Sequence, residues 1–202
     1  MDSTTPPATE TSALGICNLA LSKLGESPIA AIDPNGPPAA RLCYMHYHPV
    51  RREVLCANSW SFASRLAELS STDSQPTSDG HLEHALPLDC LRVLRVSEPA
   101  WTLRGRSIFC PGEKVRLLYI RDEEDTTLFE PLFIEALATR LAYKLCIPLT
   151  GSTTARQALT EEYNRVALPQ AAHFNGVQSH SNDTHPLYRL WRQSLGNHGN
   201  WD

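Results

Sequence analysis

The hydrophobic period of this chain changes at Trp60 and changes back near Asp122. Upstream, Ala13, Ile16, Cys17, Ala20 and Leu24 recur at helical spacing, and Leu42, Cys43, Tyr47, Val50, Val54 and Leu55 do so again. Downstream, Leu132, Phe133, Ala136, Leu137, Leu141 and Leu145 form a third stripe, and Ala155, Ala158, Leu159, Tyr163, Val166 and Ala167 a fourth. Between them lie short runs with the alternation of strands: SFASRLAEL, HALPL, CLRVLRVS, AWTLRG, RSIFC and KVRLLYIR. Helices lie at both ends and the strands cluster between them. They predict an α+β fold with a small antiparallel sheet in the middle of the chain.

Local signals place the boundaries. Ser12 is a cap and Gly25 a stop, giving a helix over about 12–25. The turn-rich SPIAAIDPNGPPAA follows, and a second helix spans about 38–57 with a kink expected at Pro49. The β region covers about 60–122, with Trp60 and Phe62 expected to anchor its first strand against the helices. In CLRVLRVS two sets of residues compete for the buried face; Gly105 points to a hairpin and Pro111-Gly112 to another turn. A third helix over about 131–147 begins with Pro131 at its first turn, and Glu135, Arg140 and Lys144 suit its dipole. The fourth, about 152–174, should bend or shorten at Pro169.

A chain of 202 residues is long enough for one good core, so residues 11–174 are expected to form a single domain. Residues 1–10 are polar and read as a disordered arm, while 175–202 read as a polar arm that orders on a partner. That second arm carries Leu187, Tyr188, Leu190, Trp191 and Trp201, aromatic surface that calls for a binding use. The net charge of -4 lacks the basic footprint of a phosphate-gripping protein. No apolar run approaches the length of a bilayer span, and MDSTTPPATE lacks the features of a secretory leader, so the expectation is a cytosolic chain without a membrane partner. Cys17, Cys43, Cys56, Cys90, Cys110 and Cys146 stand far apart and read as reduced, small core residues.

Each chemical constellation has a plainer explanation. The run Asp122-Glu123-Glu124-Asp125 offers carboxylates for glycan hydrolysis, but it lies just ahead of a helix, where negative charge is favourable anyway. His46 and His48 are too close to share a helix face as metal ligands, and His81 and His84 read as surface histidines. Cys56 as a nucleophile lacks a nominated histidine. Arg51 and Arg52 read as a subunit or channel contact. No phosphate-binding glycine loop is present, and no catalytic residue, metal site or cofactor is assigned.

The order of the segments carries more. ICNLALSKLGESPIAAID, YHPVRREVLCANSWSFASRLAEL, HALPLDCLRVLRV and LLYIRDEEDTTLFEPLFIEALATRLAYKLCIPLT, followed by a final helix, resemble the tail tubular protein A family. These are head-to-tail adaptors of short-tailed bacteriophages, and the likeness covers about residues 13–170. It implies a four-helix bundle with an inserted β-sheet region and an extended C-terminal arm. It further implies a ring, typically of twelve copies, between the portal protein and the tail nozzle protein of the virion. Assembled in the host cytoplasm, such a ring continues the channel for double-stranded genomic DNA. Leu187, Tyr188, Leu190, Trp191 and Trp201 would then dock on the portal. Sugar cleavage credited to some relatives leaves a glycan hydrolase using Asp122 and Glu124 as the alternative.

Overall fold

A computed structural model describes residues 12–72 and 75–178 as a mixed α+β protein. The expected arm at 1–10 lies outside the described residues, as does 179–202 of the arm expected at 175–202, with Leu187, Tyr188, Leu190, Trp191 and Trp201; residues 175–178 are helical instead. By contacts the chain divides into two compact units, one built from the segments up to Asn58 and from Glu124–Gly176, the other centred on Ser59–Glu123. Where a single domain was expected over 11–174, a helical unit is interrupted in sequence by a β unit.

The helical unit is organised by α3. Helix α1 is Ala13–Ser22, α2 is Pro38–Ala57 and α3 is Pro131–Thr150; α4, Thr153–Glu162, continues through a π-helical turn, Tyr163–Ala167, into α5, Leu168–Gln178. Helix α3 packs against α1, α2 and α4, which explains why Phe133, Ala136, Leu137, Leu141 and Leu145 are all buried and Ala138 and Ala142 with them. A helix with neighbours on several sides must be apolar on several sides. The Ser12 hydroxyl accepts from Gly15 N at 3.0 Å and Ser152 from Ala155 N at 3.1 Å, each satisfying a first-turn donor. Gly151 stops α3 with a left-handed φ of 65°, a conformation that favours glycine.

Two prolines behave differently from one another. Pro49 sits inside α2, which runs through it without a break. Pro169 follows the π-helical turn, where the wider coil displaces the carbonyl its ring would otherwise strike. Each π turn carries an extra residue, so the apolar stripe slips in phase. Val166, expected on the buried face, is exposed in consequence, while Leu159, Tyr163 and Ala167 remain inside; Ala158, ahead of the turn, is also exposed and the slip does not explain it.

The β unit holds two three-stranded antiparallel sheets in place of the one expected. The first has the order β1-β6-β3, with β1 at Ser64–Ser70, β3 at Cys90–Val96 and β6 at Lys114–Arg121. The second, β2-β5-β4, joins Leu82–Ala85, Ser107–Cys110 and Thr102–Arg104. Leu69, Val96, Val115, Leu117 and Tyr119 from the first sheet share one core with Ile108 and Cys110 from the second. The predicted hairpin forms at Gly105, where φ is 59° and Arg104 pairs with Ser107. Residues 111 and 112 instead carry the chain from one sheet to the other.

Strand β3 resolves its two competing faces with two register shifts, between Cys90 and Arg92 and between Val93 and Arg95. Arg92 then lies opposite Ile120 and Arg95 opposite Leu118, so both arginines emerge at the sheet edge while Val96 stays in the core. Charge on an edge strand also discourages pairing with another sheet. The first strand starts later than its alternation predicts. Residues 60–63 form a turn, with Ala63 N donating to Trp60 O at 3.3 Å and Ser64 Oγ to the same oxygen at 2.7 Å. Trp60 is fully buried and stacks on Phe62, their centroids 6.1 Å apart.

Candidate functional site

The segment with the densest candidate chemistry, Arg51 to Asp125 in its two halves, is built largely from ion pairs. Cys43, Tyr47 and Arg51 are spaced by four residues and lie on the buried face of α2. Arg51, expected as a subunit or channel contact, is therefore 1% exposed, and its Nη2 donates to Glu124 Oε1 at 2.8 Å. Apolar periodicity could not reveal this, because an arginine interrupts the stripe that buries it. Arg52, one residue on and about a quarter-turn round the helix, stays exposed.

Glu124 is one of the two carboxylates considered for hydrolysis. The Arg51 hydrogen bond, reinforced by the Arg51 charge, holds its carboxyl below the usual glutamate range. Such a group favours the ionised state, the reverse of what a general acid needs. In the β unit, the fully buried Glu123 accepts from Arg121 at 2.8 Å and Arg65 at 3.3 Å. Asp125 caps the short 3-10 turn at Thr126–Leu128, accepting from Thr127 N at 3.0 Å and Thr127 Oγ1 at 2.6 Å. Asp122 N donates to Asp89 O at 2.7 Å. The run that looked most acidic is mostly committed to arginines and backbone amides.

The histidines separate. Burial first and the Lys144 charge second hold the His46 imidazole below its ordinary value, whereas His48 stands exposed with its ring against Tyr47 at 5.3 Å. His84, expected at the surface, is fully buried in β2: Nδ1 lies 3.2 Å from Leu82 O, Nε2 3.4 Å from Glu113 O, and Cys110 Sγ 3.6 Å from Nδ1. Strand pairing supplies this neighbour, since β2 and β5 run together from Leu82–Cys110 to Ala85–Ser107. Burial pushes the Cys110 thiol up, against an opposing hydrogen bond from the Gly112 backbone, so Cys110 packs against the His84 ring as a protonated thiol. Cys56 is half-buried near the end of α2, and none of the six cysteines is in a disulfide.

What α2 offers to a partner is its outer face. Arg41, Tyr44, Met45, His48 and Arg52 recur at helical spacing and are exposed, Tyr44 by 53% and Met45 by 61%. The first turns of this face border an open groove of about 530 Å³ lined by Pro34, Pro38, Arg41, Leu42, Tyr44 and Met45. The arrangement suits recognition of an apolar anchor and brings no acid and base together. Among the described residues no cluster of His, Cys, Asp and Glu could hold a metal ion, and no helix is long and apolar enough to cross a membrane.

A second surface feature escaped the sequence reading. Leu88, taken as part of a strand in HALPL, sits in a turn between β2 and β3 with its side chain 97% exposed. Arg106 sets this turn, far along the chain, and no local pattern reports it. Compared with protein-family models and with curated proteins, the chain matches none.

Proposed function

We propose that this chain is a structural head-to-tail adaptor of a short-tailed bacteriophage. In this reading, copies form a ring, typically of twelve, between the portal and the tail nozzle, and the ring continues the channel through which double-stranded DNA is retained and released. Its place is the virion tail at the portal vertex. The observation that carries the reading is the order of parts: α1 and α2, then six strands, then α3 and α4, in the same sequence as the motifs resembling the tail tubular protein A family. We read α1, α2, α3 and the α4–α5 rod as a four-helix bundle, with the β unit as its insertion.

The physical properties agree with such a role. A ring closes through two different complementary faces on each subunit and needs no active site. The net charge of -4 keeps phosphate contacts weak where DNA must slide. Arg52 remains a subunit or channel contact in this reading, while the buried Arg51 is assigned to the fold. Of the two carboxylates considered for hydrolysis, Glu124 is bound to Arg51, an ion pair that the adaptor reading accounts for as part of the fold.

Mixing the purified protein with its portal and imaging the product by electron microscopy should show a stacked ring. Persistent absence of binding would sink the proposal. Deleting residues 180–202 should abolish docking and leave the circular dichroism spectrum unchanged.

A further inference from the structure

We propose that Leu88 of one copy of this chain inserts into the α2 groove of a second copy, making a head-to-tail contact between two different surfaces. The inference deepens the adaptor reading and rests on its claim that the chain self-associates.

A single exposed leucine is ordinary. This one is held rigidly. Its turn is closed by Cys90 N donating to Pro87 O at 3.0 Å. The Arg106 guanidinium donates to Pro87 O at 2.6 Å, Leu88 O at 3.2 Å and Cys90 O at 3.4 Å. Asp89 is fixed as well, since its carbonyl accepts from Asp122 N at 2.7 Å and its Oδ1 from the Tyr119 hydroxyl at 3.1 Å. The backbone entropy of binding is therefore spent before any partner arrives, and a 97% exposed apolar side chain stands at the apex. A preorganised apolar anchor entering a pocket is the anatomy of an interface hot spot.

The groove on α2 has the complementary character. It is lined by Pro34, Pro38, Leu42, Tyr44 and Met45, with room in its roughly 530 Å³ for a leucine side chain and the ring of Pro87. Arg41 supplies a cation at the groove, and Asp89 brings a carboxylate beside Leu88, so the two surfaces carry opposite charges. The second copy is the favoured occupant because one chain carries both members exposed, the anchor on one unit and the groove on the other. A contact joining unlike surfaces repeats from copy to copy and closes into a ring when its rotation permits.

Sedimentation velocity over about 1 µM to about 1 mM tests the contact, a range that captures weak self-association. The unmodified chain should gain mass with concentration. Leu88→Asp and Met45→Glu, both surface changes, should each weaken association by at least about 30-fold, with unchanged circular dichroism. Mixed together, they should form a one-to-one dimer and nothing larger, because the first keeps only its groove and the second only its anchor. Association unaffected by Leu88→Asp would overturn the contact and leave the ring standing. Two defective variants that fail to complement would overturn the pairing of these surfaces. An unmodified chain that stays monomeric would also overturn it, with the ring then decided separately by portal imaging.

Discussion

Lys23 joins three helices, and replacing it should reveal how. It follows α1, and its Nζ donates to Glu135 of α3 at 2.5 Å and to Glu162 at the end of α4 at 2.8 Å. Burial alone would lower the lysine pKa. The hydrogen bonds and charges of Glu135 and Glu162 outweigh it, and the value is raised. The sign follows: stabilisation from this group is complete below the unfolded lysine value and is lost as pH rises through the higher folded one. Two charge-assisted hydrogen bonds to carboxylates that are each 41% exposed, discounted for solvent screening, are together worth about 1–2 kcal/mol. Lys23→Met should therefore lower Tm by about 3–6 °C in calorimetry at pH 7.

A sharper consequence concerns the carboxylates. Both bind one ammonium, so removing it leaves two like charges no farther apart than the two bonds allow. Glu162→Gln should destabilise the unmodified chain by about 0.5–1 kcal/mol and stabilise the Lys23→Met variant, a reversal of sign read from a double-mutant cycle in urea. Equal effects in both backgrounds would refute the bridging role.

Leu137→Ala, at the fully buried centre of α3, should cost about 3 kcal/mol and lower the urea midpoint without changing the sheet contribution to the far-ultraviolet spectrum. The Arg51 hydrogen bond depresses the Glu124 pKa, so this pair contributes stability at and above the ordinary glutamate range and loses it as pH falls through the lower folded value. Unfolding curves of the unmodified chain and Glu124→Gln should accordingly differ at pH 7 and converge in acid. Gly151→Ala should cost about 1–2 kcal/mol through its backbone alone, since nothing lies within 4 Å of the added carbon, and Gly151→Asn should cost less by the same thermal assay.

The helices were legible because each buried face repeats within one element. Phe133, Leu137, Leu141 and Leu145 announce α3 without help from distant residues. The period-two runs likewise located the strands, and Gly105 its hairpin. Three of the misses share one character: each depends on a group remote in sequence. Arg51 is buried with a charge partner 73 positions away, His84 meets Cys110 across a strand pair, and Leu88 is presented by Arg106. The π-helical turn ahead of Pro169 is a local event, but it changes the period on which the reading relied and so exposes Val166. For the candidate site this mattered more than for the fold, since the sequence reading named the buried stripe of α2 and neither its exposed face nor the exposed Leu88.

The insertion of Ser59–Glu123 between α2 and α3 also governs how the chain can fold during synthesis. Helices α1 and α2 leave the ribosome first, yet the helix they pack against begins at Pro131. At about 5–20 residues per second, Tyr47, Val50 and Val54 wait several seconds for their partner. The β unit, contiguous in sequence, can close during that delay. The N-terminal third of the protein thus carries apolar faces before their partner helix exists, and slowing translation across the β unit would lengthen their exposure.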